Sequence, residues 1–296
     1  MRSHHKIAVV TDKATALALP KDGYRAPLAG RRSPSAQARH SGLSSESDPK
    51  SRWVNAAAVG LLGFAGVTCA DAAQDREPVA EDEAAYKFTP TVYRTTGEPS
   101  AYDLNLRGNR GAHTGWVGFY RRADEFQQLR LGYENTVELS FGRVVPSLQY
   151  ATRGFLGGSL TAEIGERYFG VFGWGRTNLK DYYNLNFDPN DAVTIGAGTR
   201  ALPKTMLTLF QVRDDRLGTG QRVTHLVARI KPDDRTRWTV DAFHKEGRSA
   251  DDNEWVRGTG IAVAYDFGRY FARVTSDPHV NFSNNHMVRA ALGFRF

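Results

Sequence analysis

Five histidines lie in the C-terminal two-thirds of the chain: His113, His225, His244, His279 and His286. Each could act as a base. A serine hydroxyl beside such a base attacks an acyl carbonyl, because the imidazole takes up the hydroxyl proton. On a strand, a spacing of two residues puts both groups on one face. None of the five has a serine at that spacing. His244 sits in "DAFHKEG", and His286 follows Ser283-Asn-Asn in a stretch that reads as a loop. No histidine–cysteine cluster has the spacing of a zinc site. Asp188-Pro-Asn-Asp191 offers too few oxygens for a calcium loop and reads as a turn. No catalytic constellation, metal or cofactor is expected, and the pattern does not point to an enzyme.

A different chemistry is carried by charges that alternate with apolar residues. Asp103, Arg107, Arg130, Glu134, Glu138, Glu163, Arg200, Arg213, Arg229, Asp241, Asp266, Arg273, Arg289 and Arg295 occupy such positions, with arginine in excess. Surrounding a passage, charged side chains set ion selectivity; paired with one another, they fill the space. Either role needs a hollow frame with these residues inside.

The alternation describes that frame. In Leu129–Phe141 the odd positions are almost all apolar, while Arg130, Gly132, Glu134, Thr136, Glu138 and Ser140 fill the even ones. A period of two is a strand's period. It recurs through the rest of the chain, and no segment has a persuasive helical period. Fourteen segments emerge: 86–95, 100–109, 113–121, 126–141, 144–153, 155–166, 168–177, 191–201, 204–214, 221–231, 236–246, 258–267, 270–277 and 286–296. The first is the weakest, because Pro90 interrupts it; twelve strands is the runner-up count. Tight connections such as Gly142-Arg143 and Gly268-Arg269 alternate with polar ones such as "TNLKDYYNLNFDPND", "EGRSADDNEWVRG" and "SDPHVNFSNN".

That asymmetry predicts an all-β fold, a transmembrane antiparallel up-and-down barrel. A soluble sandwich would also alternate. The crowded polar faces, and aromatic residues placed near strand ends (Trp116, Tyr120, Tyr168, Trp174, Trp238, Tyr265 and Tyr270), favour a membrane barrel with girdles. Lumen-lining residues are then Arg107, Arg130, Glu134, Glu138, Arg200, Arg213, Arg229, Asp241, Arg273, Arg289 and Arg295. The only inserts large enough to plug the lumen are Lys180–Asp191 and the loop 247–257.

The net charge of +7 does not indicate nucleic acid, since residues 1–53 hold ten Lys or Arg against four Asp or Glu. That stretch reads as a disordered or untranslated extension. Residues 54–72, "VNAAAVGLLGFAGVTCADA", read as a secretory signal peptide, followed by a flexible periplasmic tail over 73–85 and the barrel over 86–296. The lone Cys69 falls inside the signal.

The last segment, "MVRAALGFRF", is apolar at alternate positions and closes on Phe294 and Phe296. It resembles the C-terminal strand of bacterial outer-membrane β-barrel proteins. The resemblance covers roughly residues 86–296 and identifies no subfamily. It implies export to the outer membrane, contact with outer-membrane lipid and lipopolysaccharide, and Phe294 and Phe296 as a signal read by the barrel assembly machinery. The expected function is a narrow, weakly anion-favouring passive channel. One alternative is a closed structural barrel whose outer loops (Tyr182, Tyr183, Phe187, Asp251, Asp252 and Trp255) bind lipopolysaccharide or a partner. The other is an outer-membrane lipid hydrolase, since outer-membrane phospholipases and lipid A deacylases are similar in size and architecture.

Overall fold

Extended backbone is the only conformation that puts every second residue on one face, and the alternating segments adopt it. The structure, a computed structural model, describes residues 85–123, 126–178, 191–249 and 252–296. Its strands begin with β1 (Ala85–Thr95), β2 (Ala101–Arg110), β3 (His113–Arg122), β4 (Phe126–Asn135) and β5 (Val137–Leu139). They continue with β6 (Gly142–Ala151), β7 (Phe155–Ile164), β8 (Tyr168–Thr177), β9 (Ala192–Leu202) and β10 (Thr205–Asp214). The last are β11 (Arg222–Ile230), β12 (Thr236–Arg248), β13 (Trp255–Phe267), β14 (Tyr270–Asp277) and β15 (Met287–Arg295). The expected extension, signal peptide and most of the periplasmic tail lie outside the described residues, as do Tyr182, Tyr183, Phe187 and Asp251.

β4 and β5 run end to end along β6 in one register, so they are a single stave and the barrel has 14. Each strand pairs antiparallel with its neighbours, and β1 pairs with β15 to close the ring. The closure is complete to the last residue. Tyr86 N–H donates to Phe296 O at 2.8 Å, Phe296 N–H donates to Tyr86 O at 3.0 Å, and the two rings stack at 5.6 Å.

Two prolines mark the gaps in this ladder, because proline donates no N–H. β1 forms in spite of Pro90, paired with Leu104 of β2, but its pairing with β15 skips from Phe88–Phe294 to Thr91–Ala291. On β6, Pro146 falls between Val144 and Ser147, opposite the break that separates β4 from β5. The segment expected to run unbroken over 126–141 is therefore interrupted at Thr136.

The strands alternate in direction, so the connections sort to two ends. Residues 111–112, 140–141, 165–167, 203–204, 231–235 and 268–269 lie with Phe296 at the terminus end. At the loop end lie residues 96–100, 152–154, 215–221 and 278–286, and the described ends of the connections after β3, β8 and β12. The expected short–long asymmetry holds for the second half; the first three loop-end connections are also short.

Solvent exposure alternates with sequence. Leu148 is 62% and Leu292 66% exposed, and Leu104, Leu131, Leu209, Leu226 and Val274 share their outward face. A soluble barrel would turn such residues inward; here they form the band that hydrocarbon covers. An aromatic girdle runs along the terminus end, with Trp238 on Tyr265 at 4.4 Å, Tyr265 on Phe267 at 5.4 Å and Phe267 on Tyr270 at 5.8 Å. Trp116 and Tyr120 do not belong to it. They share the inward parity of β3 with Thr114 and Arg122, and Tyr120 is buried.

Candidate functional site

The inward face starts with glycines. A Cβ on Gly132 would meet the Trp116 ring at 2.0 Å, and one on Gly260 would meet Phe243 at 2.3 Å. Only a bare backbone lets these rings lie flat along the wall. Gly198 under Phe169 and Gly293 under Phe271 repeat the arrangement. Large side chains thus hug the barrel instead of crossing it, and charged groups are laid over them.

At the terminus end two triads share one design. Glu163 on β7 accepts from Arg143 of β6, its register partner, at 3.1 Å, and from Arg200 of β9, which reaches across β8 over the Phe169 ring. Asp266 on β13 accepts from Arg237 of β12, its register partner, at 3.2 Å, and from Arg295 of β15, which reaches across β14 over the Phe271 ring. Cation–π contact with the flattened ring holds the long guanidinium in each case. Each triad has two guanidiniums for one carboxylate. Arg107 pairs with Glu134 at 2.6 Å and Arg130 with Asp103, both across β3. Gly118 makes room, since a Cβ there would meet Arg130 Nη2 at 3.0 Å.

The loop end holds an apolar cluster beside nearly buried ion pairs such as Arg122–Glu98 at 2.7 Å. Tyr93, Tyr120, Phe126, Val223, Phe243, Val256 and Met287 point inward and form one cluster with Val280 and Phe282. The last two belong to the loop 278–286, which folds into the barrel as a 3-10 turn, Val280–Phe282. His279, Asn281 and Phe282 adopt left-handed backbone, with φ of 52°, 49° and 59°. Such a conformation costs an L-residue about 1–2 kcal/mol, offset here by burial of Val280 and Phe282 and by internal hydrogen bonds such as Phe282 N–H to His279 O at 2.8 Å. Beneath it Lys245 pairs with Asp277 at 2.5 Å, both side chains with no exposure. Most of Lys180–Asp191 lies outside the described residues. Among the described residues, the element that enters the lumen at this end is a loop that its length did not single out. Its polar sequence hid its role, and the apolar signal is only Val280 and Phe282.

The remaining expected lumen residues are distributed as follows. Arg229 is buried; Asp241 bonds the His225 Nδ1 at 3.1 Å; Arg289 is buried and donates to Thr275 Oγ1 at 3.0 Å, with Arg273 nearby on the same face. Glu138 lies exposed at the terminus-end rim, opposite Arg143. Arg213 is a correction. It shares the outward parity of Leu209 and Gln211 and bonds Gln211 Oε1, because β10 buries Thr208, Phe210 and Val212 instead. Among the described residues no group of three or more metal-ligating side chains converges.

The serine–histidine pair sought along single strands arises across two segments. Ser276 Oγ of β14 lies 3.0 Å from His286 Nε2, just before β15. A ten-residue separation through a loop leaves no signature in local spacing.

No family profile and no curated relative matches this sequence. Among solved structures, the chain is similar to the Acinetobacter baumannii outer membrane protein Omp33, at 8% identity, covering 73% of this chain and 100% of that one, with a TM-score of 0.48. A Rh. blastica porin variant gives 8% identity, 72% and 99% coverage and a TM-score of 0.43. Salmonella typhi OmpF gives 10% identity, 72% and 97% coverage and a TM-score of 0.40. Likeness at this level carries no argument; the barrel stands on its own strand register.

Proposed function

We propose that the protein is a narrow, anion-favouring passive channel of the bacterial outer membrane. The observation that carries the reading is the pair of triads, Arg143–Glu163–Arg200 and Arg237–Asp266–Arg295, which leave a surplus guanidinium charge on two separate sectors of the terminus-end wall. Guanidinium stays charged at any working pH, and fixed cations around a passage favour anions. Space for the passage is supported by the β6–β9 wall, whose inward residues include Ser147, Ser159, Thr161, Gly173 and Gly175. The apolar cluster at the loop end draws instead on β1 to β4, β11 to β13 and β15. Passage is therefore narrow and displaced toward β6–β9. The outward apolar band supports the membrane location. The exposed Phe294 and Phe296 support their reading as an assembly signal.

Reversal potentials of the refolded protein in a planar bilayer under a salt gradient test this. An anion preference unchanged between pH 5 and 8 is expected. A cation preference, or no conductance where an established porin conducts, refutes the channel and favours a closed structural barrel.

A further inference from the structure

We propose that Ser276 and His286 form a nucleophile–base pair that cleaves acyl esters of membrane lipid at the loop-end edge of the apolar band. The inference goes beyond the channel reading and uses the outer surface, not the lumen. Four observations converge. Ser276 Oγ and His286 Nε2 are 3.0 Å apart, within reach for proton transfer. Ser276 has the outward parity of Val274, and its register partners are the exposed Ile261 and Val288. It is the last outward residue of β14, so its hydroxyl stands where the apolar band gives way to the polar loop. His286 is held from the other side: Thr96 donates to its carbonyl through N–H at 2.9 Å and through Oγ1 at 3.2 Å.

Lipid ester carbonyls lie at the boundary between hydrocarbon and headgroups, the level where amphipathic groups collect. There the step is balanced without any co-reactant but water. Ser276 Oγ bonds to the acyl carbon as its proton passes to His286 Nε2. The ester C–O bond breaks, and the proton goes from Nε2 to the departing glycerol oxygen. Water, deprotonated by the same nitrogen, then attacks the acyl-serine, releases the fatty acid and restores the hydroxyl.

The neighbouring strands supply a control. His244 Nδ1 and Thr259 Oγ1 are 2.9 Å apart on the same outward face, a histidine–hydroxyl pair with a secondary alcohol. A purely structural belt would treat both pairs alike. The refolded full chain is treated with a fluorophosphonate probe, and oleate release is followed from vesicles of dioleoyl phosphatidylethanolamine. The wild type and Thr259→Ala should be labelled at Ser276 and release oleate. Ser276→Ala should do neither, and His286→Asn should slow both by on the order of 100-fold or more. If Ser276→Ala does not fold, His286→Asn, which alters no strand residue, decides. Labelling of the wild type no faster than of Ser276→Ala and His286→Asn overturns the pair as a nucleophile. Labelling without oleate release overturns lipid as its substrate. Neither result bears on conductance, so failure here leaves the channel reading standing.

Discussion

At the terminus end Glu163 and Asp266 each sit between two arginines and remain partly wet, with arginine side chains 17–33% exposed. At the loop end Lys245 and Asp277 pair with no exposure under Val280 and Phe282. Both ends use opposite charges on inward positions of β12 to β15, yet for different purposes. Where water reaches, a surplus of one sign is tolerable and supplies a field. Where water is excluded, an uncompensated charge is ruinous, so lysine and aspartate occur one to one and the apolar loop can seat on them.

The largest consequence is for stability. Asp277→Ala leaves the Lys245 ammonium buried without its partner and should cost ~3–5 kcal/mol, measured by urea unfolding in detergent micelles. Arg143→Ala at the wet end should cost no more than about 1 kcal/mol, since Glu163 keeps Arg200 and solvent screens the rest. Equal losses would erase the distinction between the ends.

Between the two ends the outward face should behave differently from both. Leu131→Arg places a cation on the apolar band and should cost roughly 2–4 kcal/mol if it lies near the midplane. Glu138→Gln at the exposed rim should be close to neutral. Similar damage from both would mean that the faces are assigned the wrong way round.

The terminus-end field can be tested with smaller energetic stakes. Replacing Arg237 and Arg295 by Glu should move the reversal potential toward cations, whereas Phe282→Ala at the loop end should raise conductance with little change in selectivity. An unmoved reversal potential would show that the triad does not face the ion path.

The smallest effect concerns a turn. In the 231–235 connection Asp233 accepts from the Thr236 hydroxyl at 2.7 Å and from the N–H groups of Arg235 at 2.8 Å and Thr236 at 2.7 Å. The Thr236 hydroxyl foremost holds its carboxyl below the usual aspartate range. A depressed folded value means that the contribution is present above the unfolded pKa, about 3.9, and is lost as pH falls through the folded value. Acid titration below about pH 4 should therefore release the turn in the wild type, and Asp233→Ala should flatten that limb. A steep limb in the variant would place the acid sensitivity elsewhere.

The sequence by itself determined the all-β barrel, most inward and outward faces and the closing role of the final strand, because a period of two is a local property that each segment states for itself; it favoured fourteen strands over twelve, and the pairing of β1 across Pro90 decided the count. It also told which charges lie on inward parity wherever the alternation is clean. It misplaced Arg213, since "TMLTLFQVRD" offers apolar residues on both parities and only the packing of Phe210 against Gly196 and His225 selects the face. Trp116 and Tyr120 went astray for a related reason: aromatic residues suit a girdle and an inner wall equally, and the glycine that lets Trp116 lie flat is on another strand. What only the tertiary structure decided are the groupings across strands and loops. Arg200 meets Glu163 over an intervening strand, Ser276 meets His286 through a turn of chain, and the polar loop 278–286 enters the lumen on two apolar residues. Such contacts depend on the radius and register of the closed ring, which exist only once every strand has found its neighbours.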